Sequence, residues 1–215
     1  MHTKPLAASR IRAAHGLVTG MLLALPLLAA DASAQVSNAD AHAAEAIVAR
    51  LHRGLVEVSA SAPELSLDTH FERLRPLIAE THDLPFIAEL AIRREWRVLA
   101  ATDRERFAAA FERLSVMTYA SRFSAVDANA FAILGSADAG SGRIEVNAAI
   151  AGRDGRDIPL DYTLQERDGA WTIVNVVADG VSDLALKRAE YRRVLADGTL
   201  DDLIDHLNDQ ADDLD

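Results

Sequence analysis

The fold is decided by residues 143–177, which read RIEVNAAIAGRDGRDIPLDYTLQERDGAWTIVNVV. Apolar side chains alternate with polar or small ones along this stretch, for example in Leu160-Asp161-Tyr162. A period of two is typical of β-strands that bury one face. Asp168-Gly169 stands between two such runs, and this dipeptide favours a tight hairpin turn. We therefore predict antiparallel, half-buried strands over residues 130–177.

Helical spacing of apolar residues occurs on both sides of the predicted strands. The longest of these segments begins with Thr102-Asp103-Arg104-Glu105, which has the spacing of a capping box, so we predict that its helix starts at Thr102. Pro76 should kink or interrupt an earlier helix, and Ser182 is a good N-cap for a later one. The predicted helices cover residues 41–58, 64–81, 84–92, 102–123, 183–195 and 200–207.

This order of elements predicts an α+β fold. We expect a curved, antiparallel or mixed sheet of about four to five strands, with about six or seven helices packed on one of its faces. Such an arrangement forms a cone whose interior can remain hollow and apolar.

The N-terminal segment has the features of an export signal. Three basic residues precede an apolar run over residues 16–30, and Ala32-Ser33-Ala34 fits the small-residue cleavage rule. The apolar run is shorter than the roughly 20 residues that span a bilayer. We therefore expect residues 1–34 to be a cleaved signal peptide, residues 35–208 to form one domain and residues 209–215 to be a frayed acidic tail. The expected location is the periplasm of a Gram-negative cell.

The overall charge restricts the partners of this chain. The formal net charge is −11, and it becomes more negative without the basic N-terminal segment. Such a surface repels phosphate backbones, so we expect no nucleic-acid partner. The chain contains no cysteine, which excludes thiol catalysis, zinc-thiolate sites and disulfides.

Motifs that mark catalytic or metal sites are missing from the sequence. It has no Gly-x-Ser-x-Gly elbow, Walker loop, Gly-x-Gly-x-x-Gly fingerprint or His-Glu-x-x-His motif. His82-Asp83 is interpreted as the start of a helix, with Asp83 as its cap. We therefore expect no metal, no cofactor and no catalytic residue. The histidines beyond residue 34 are scattered over several predicted elements and are His42, His52, His70, His82 and His206.

An ordered set of short motifs extends over most of the chain beyond residue 34. The motifs are His82-Asp83-Leu84-Pro85-Phe86, Trp96-Arg97, Glu105-Arg106-Phe107, Phe111, Tyr119, Gly180-Val181-Ser182, Arg188 and Tyr191. In this order they resemble the MlaC or toluene-tolerance family of periplasmic phospholipid-binding proteins. The run Asp179 to Tyr191 is more similar to the hopanoid-biosynthesis-associated branch of that family, HpnM, than to the phospholipid branch. Two positions depart from the family pattern: Arg93 replaces a usual Gly, and Asp183 replaces a usual Leu.

The resemblance implies an NTF2-like cone that encloses lipid tails and catalyses no reaction. It implies a soluble carrier that shuttles a hopanoid or a phospholipid between an inner-membrane transporter and the outer membrane. The implied partners are the lipid, an ABC-type transporter complex of the inner membrane and an outer-membrane lipoprotein complex. We expect the carrier to be a monomer.

The residues expected to line the apolar cavity come from the predicted strands and from two helices. Arg188 is expected to bind a headgroup or to pair with a core-facing acid. The expected lining residues are Phe111, Leu114, Met117, Tyr119, Val146, Ile150, Leu160, Tyr162, Ile173 and Tyr191.

Two other functions remain open at this point. The first is a cone-fold isomerase or hydratase that acts on an apolar substrate, which would need a buried carboxylate facing the cavity. Asp161 does not suit this role beside Tyr162, because neighbouring strand residues point to opposite faces. The second is a periplasmic adaptor protein with a solid core and no ligand.

Overall fold

Five helices precede the sheet in the part of the chain that the structure describes. The computed structural model describes residues 37–61, 66–152 and 155–214, and the predicted signal peptide lies outside these ranges. The helices are α1 (Asn38–Ser61), α2 (Leu67–Thr81), α3 (Leu84–Ala91), α4 (Arg93–Trp96) and α5 (Ala101–Arg122).

Helix α5 does not begin with the predicted capping box. Its N-cap is Ala100, which makes no side-chain capping bond. The N–H of Arg104 already donates to the carbonyl of Ala100 at 3.1 Å, so helical bonding starts before Thr102. The Nε of Arg104 also donates to the carbonyl of Trp96 at 3.0 Å and fixes the preceding turn against the helix. The tertiary contact of Arg104 therefore outweighs the local capping signal.

Helix α2 differs from its prediction at two points. It begins at Leu67 rather than Glu64, because Ser66 is its N-cap and accepts a bond from the N–H of Thr69 at 3.4 Å. It also continues through Pro76, so the predicted interruption is wrong. A proline costs an internal helix one backbone bond, and α2 tolerates this loss because it packs against both α1 and α5.

The strands form one antiparallel meander. They pair in the order β1-β2-β3-β4-β5. Asp168 and Gly169 both have positive φ, as a two-residue hairpin turn between β3 and β4 requires. The strands are β1 (Phe131–Gly140), β2 (Arg143–Ala151), β3 (Asp157–Arg167), β4 (Ala170–Ala178) and β5 (Val181–Ser182).

One face of the sheet carries the core. Alternate residues of β3 are buried, as the period of two predicts, and the residues between them are partly or fully exposed. In β2 the alternation holds from Ile144 to Ala148 and ends at Ala149, which is also buried. Helix α1 packs against β1, β2 and β4, and α2 and α3 pack against β4. The predicted α+β fold is confirmed.

Two helices close the described chain, α6 (Asp183–Asp197) and α7 (Leu200–Asp212). The predicted end of α7 at Leu207 is wrong. The helix continues because Ala211, one turn later, is buried, and because Asp212 pairs with Arg113 of α5 at 2.7 Å. Residues 209–212 are therefore helical rather than frayed. None of the helices in the described ranges is long and apolar enough to cross a membrane.

Candidate functional site

A cavity of about 330 Å³ lies between α5, α3, α6 and the strands β3 and β4. This volume falls at the lower end of the range of ~300–1,000 Å³ that is usual for small-molecule sites. Most of its wall is apolar, with a few polar groups at defined positions. The apolar and aromatic lining residues are Leu84, Ile87, Phe111, Tyr119, Phe123, Leu160, Tyr162, Ile173, Val176, Ala178, Val181 and Leu186.

The junction of α2 and α3 forms one wall of this cavity. His82 forms a single parallel bridge with Ile173 of β4, and the N–H of Asp83 donates to the carbonyl of Ile173 at 3.1 Å. The carboxylate of Asp83 accepts a bond from the N–H of Phe86 at 3.0 Å, so the predicted helix cap is confirmed. The same carboxylate pairs with Arg167 at 2.7 Å. These contacts hold the side chain of His82 in the cavity wall.

A hydrogen-bond chain runs from this junction to α5. The hydroxyl of Thr81 donates to the carbonyl of Leu77 at 2.8 Å, so it accepts from Nδ1 of His82 at 2.9 Å. Burial lowers the pKa of His82 to about 4, so the ring is neutral at pH 7. Its Nε2 therefore accepts the proton of the Tyr119 hydroxyl at 2.9 Å. Because the Tyr119 hydroxyl uses its proton in this bond, its oxygen can only accept further hydrogen bonds.

A second histidine–tyrosine pair lies between α1 and β3. His52 Nε2 and the hydroxyl of Tyr162 are 3.0 Å apart, and the His52 ring stacks on Phe131 with a centroid distance of 4.2 Å. Burial lowers the pKa of His52 to about 4 and raises the pKa of both Tyr162 and Tyr119. All four groups are therefore neutral at pH 7, and those of them that line the cavity add no charge to its wall.

The structure brings together half of the residues that the sequence predicts for the cavity. Met117, Val146 and Ile150 line neither this cavity nor the neighbouring one, although Val146 and Met117 are buried. The sheet residues that line the cavity belong to β3, β4 and β5, and none of those described on β2 does so. The residues that do line the cavity are Phe111, Tyr119, Leu160, Tyr162 and Ile173, whereas Leu114 and Tyr191 line the neighbouring cavity.

Arg188 lies outside the walls of both cavities. Its Nε donates to the carbonyl of Leu90 at 2.8 Å, near the C-terminal end of α3. Among the described residues it forms no ion pair, in contrast to the predicted pairing with an acid. Basic side chains often satisfy the last carbonyls of a helix. Arg188 therefore joins α6 to α3 and holds two walls of the cavity together.

The lining residues that escape the sequence prediction include His82, Leu84 and Ile87. The sequence pattern identifies His82-Asp83 only as the start of a helix. Leu84 and Ile87 are three residues apart, so they share one face of α3. This spacing indicates that the two side chains share a face of α3, but it does not distinguish a face in the solid core from a face that borders a cavity.

Tyr191 carries a buried hydroxyl without a partner among the described residues. Its ring packs edge-on against Phe107 and Phe111, with centroid distances of 6.1 and 6.5 Å. An unsatisfied buried polar group costs about 1–3 kcal/mol. We therefore expect Tyr191→Phe to raise the free energy of unfolding by about 1 kcal/mol in urea titrations. A destabilised variant would show that the hydroxyl has a partner, for example an ordered water.

The fold of this chain is similar to that of a protein whose structure has been solved. The chain is similar to the phospholipid-binding protein from Ralstonia solanacearum, whose structure was solved in complex with a phospholipid. The TM-score is 0.70 at 16% sequence identity, and the match covers 80% of this chain and 98% of the other. At this identity the likeness shows a common fold.

Sequence comparisons give the family. Comparison with curated protein sequences gives no significant match. The model of the family described as MlaC protein matches residues 55–209, which include most of the described helices and the whole sheet. The chain therefore belongs to the MlaC protein family.

Proposed function

We propose that the protein is a periplasmic carrier that holds the apolar part of one lipid in the cavity between α5 and the sheet. The observation that carries this proposal is the apolar cavity of about 330 Å³ in a chain of the MlaC family. The similar protein from Ralstonia solanacearum, which binds a phospholipid, supports the same assignment.

The physical requirement for such a carrier is that it replaces the bilayer around the tail. Burial of each CH₂ contributes about 0.8 kcal/mol, so one long acyl chain involves on the order of 10 kcal/mol. The neutral histidine–tyrosine pairs suit this purpose, because they satisfy their own polar groups and add no charge of their own beside the tail. A cavity of this size favours one tail, or a rigid ring system that loses little conformational entropy on binding.

The wider role follows from the same proposal. Residues 1–34 act as the signal peptide, and the lipid passes between an inner-membrane transporter complex and the outer membrane. The ligand is a phospholipid or a hopanoid. The run Asp179 to Tyr191 supports the hopanoid-associated branch, and its first residues contribute Val181 and Asp183 to the cavity wall.

The composition of the cavity wall does not favour an isomerase or a hydratase. Within the described part of the chain, the carboxylate that lines this cavity is Asp183. Its side chain is half exposed, and both of its oxygens lie within 2.9 Å of Nζ of Lys187. A general base for an apolar substrate needs a buried carboxylate with a raised pKa. We therefore propose binding without catalysis.

The test is native mass spectrometry of the mature protein, purified gently from its own periplasm, with identification of the extracted lipid. We expect one lipid for each protein molecule. Val176 lines the cavity and pairs with Tyr162, whereas Val177 pairs with Asp161 on the opposite face of β4. Val176→Trp should therefore abolish lipid loading, and Val177→Trp should retain it. A wild-type protein that carries no lipid and rejects added lipids would refute the proposal and favour an adaptor function.

A further inference from the structure

A second cavity of about 330 Å³ adjoins the first one, between the C-terminal part of α5, α6 and the end of α7. Five residues line both cavities, so the two spaces meet along a common border. If the tail of a lipid lies in the first cavity, as the proposed function states, its polar end reaches this border. The border residues are Thr118, Arg122, Asp183, Leu186 and Lys187.

The border carries one unpaired positive charge. Lys187 contacts both oxygens of Asp183 at 2.8 and 2.9 Å, and these two charges compensate each other. Arg122 is the last residue of α5 and is exposed. Among the residues that the structure describes, no acidic side chain pairs with it. An exposed guanidinium without a partner is well suited to bind a phosphate group through two parallel bonds.

The part of the second cavity beyond the border is acidic. It is lined by Glu190 and Asp213, which do not line the first cavity. Glu190 is held in place by His206 Nε2 at 2.7 Å and by Gln210 Nε2 at 2.6 Å. Asp213 is exposed at the end of α7 and has no ion pair within the described ranges. From the first cavity to the far part of the second, the lining is therefore first apolar, then positively charged at the border, and then negatively charged.

We propose that the second cavity binds a zwitterionic lipid headgroup, with its phosphate at Arg122 and its amine at Glu190 and Asp213. An aminophospholipid has its tail, phosphate and amine in this same order. A lipid with a phosphate but no amine would leave two carboxylates facing its negative charge. A hopanoid without a phosphate would leave Arg122 without a partner. The cavity therefore selects a phospholipid that carries an amine.

The experiment is a competition measured by native mass spectrometry on the delipidated mature protein. The probes are phosphatidylethanolamine, phosphatidylglycerol and diacylglycerol with identical acyl chains. We expect the wild type to prefer phosphatidylethanolamine. Arg122→Gln should lower the occupancy of both phospholipids relative to diacylglycerol about ten-fold, which is the effect on binding expected from the loss of one charge-assisted hydrogen bond. Asp213→Asn should reduce the preference for phosphatidylethanolamine over phosphatidylglycerol about three-fold, because this carboxylate is exposed to solvent.

Matched controls separate a headgroup site from general charge effects. Arg193→Gln on α6 and Asp209→Asn on α7 make the same charge changes at exposed positions outside both cavities, and they should leave the preferences unchanged. Phosphoethanolamine without tails should not displace the bound lipid. If it binds as well as the lipid does, the site serves a soluble ligand and the headgroup assignment is wrong.

The outcomes distinguish this inference from the proposed function. Equal binding of the three lipids, or an unchanged ratio in Arg122→Gln, would overturn the headgroup site and leave the lipid carrier intact. Failure of the wild type to bind any of the three lipids would overturn the headgroup site, and failure to bind an added hopanoid as well would overturn the lipid carrier. Arg122→Lys keeps the cation at the end of α5, so equal thermal stability of ligand-free Arg122→Lys and Arg122→Gln would show that the glutamine variant changes ligand binding and not the fold.

Discussion

Acidification from pH 7 to pH 4 is expected to remove several kcal/mol of stability, because two buried histidines must remain neutral in the folded state. Burial lowers the pKa of both His52 and His82 to about 4. In the unfolded chain their pKa is about 6.5. Between these values the unfolded state binds more protons than the folded state, so stability falls as the pH falls. Each histidine contributes a loss on the order of 3 kcal/mol, at 1.36 kcal/mol for each pKa unit.

Urea titrations at pH 7 and at pH 4.5 test this expectation. His82→Phe and His52→Phe should each lower stability at pH 7, because Tyr119 or Tyr162 loses its partner, but each should reduce the dependence on pH. His42 is exposed, so His42→Asn should keep the slope of the wild type. A wild-type stability that does not change between pH 6.5 and pH 4.5 would contradict the prediction.

Removal of either core phenylalanine of α5 is expected to cost about 3–5 kcal/mol, the usual range for Phe→Ala in a core. Phe107 and Phe111 are both almost fully buried. Phe107 packs against the rings of Trp96, Phe111 and Tyr191, so Phe107→Ala leaves a closed void. Phe111 also borders the cavity, so Phe111→Ala enlarges a space that already exists. Phe107→Ala should therefore be the more destabilising change.

Lipid binding separates the two variants further. The enlarged cavity of Phe111→Ala should accept a bulkier tail, and added lipid should restore more of its thermal stability than in the wild type. Phe107→Ala should show the lipid preference of the wild type at a lower melting temperature. Thermal unfolding with and without lipid measures both effects. Identical lipid preferences in the two variants would show that Phe111 does not limit the size of the bound tail.

The sheet could be predicted in detail from the sequence because its signals are local. The alternation around Leu160 and Tyr162 and the turn at Asp168-Gly169 depend only on neighbouring residues. The start of α5 could not be predicted in this way, because the bond from Arg104 to Trp96 depends on the turn before the helix. The same limit applies to the end of α7, which Arg113 of α5 extends through its pair with Asp212.

The candidate site could be predicted only in part. Periodicity shows which face of a strand is buried, but it does not show whether that face meets a side chain or an empty space. Val146 and Tyr162 are direct neighbours in register and are both buried. Only Tyr162 borders the cavity, whose sheet residues come from β3, β4 and β5. The charged border around Arg122 forms where residues of α5 and α6 come together in the fold, and no local sequence pattern predicts this arrangement.

The meander also determines the order in which the parts of this protein can assemble. Each strand pairs with its nearest neighbour in the sequence, and such local contacts form quickly during folding. The cavity wall is different, since the contact between Asp83 and Ile173 joins residues separated by about half of the described chain. Closure of that distant loop is entropically costly and should come late. The binding site therefore arises only after the sheet has formed, so acquisition of a lipid would report that folding is complete.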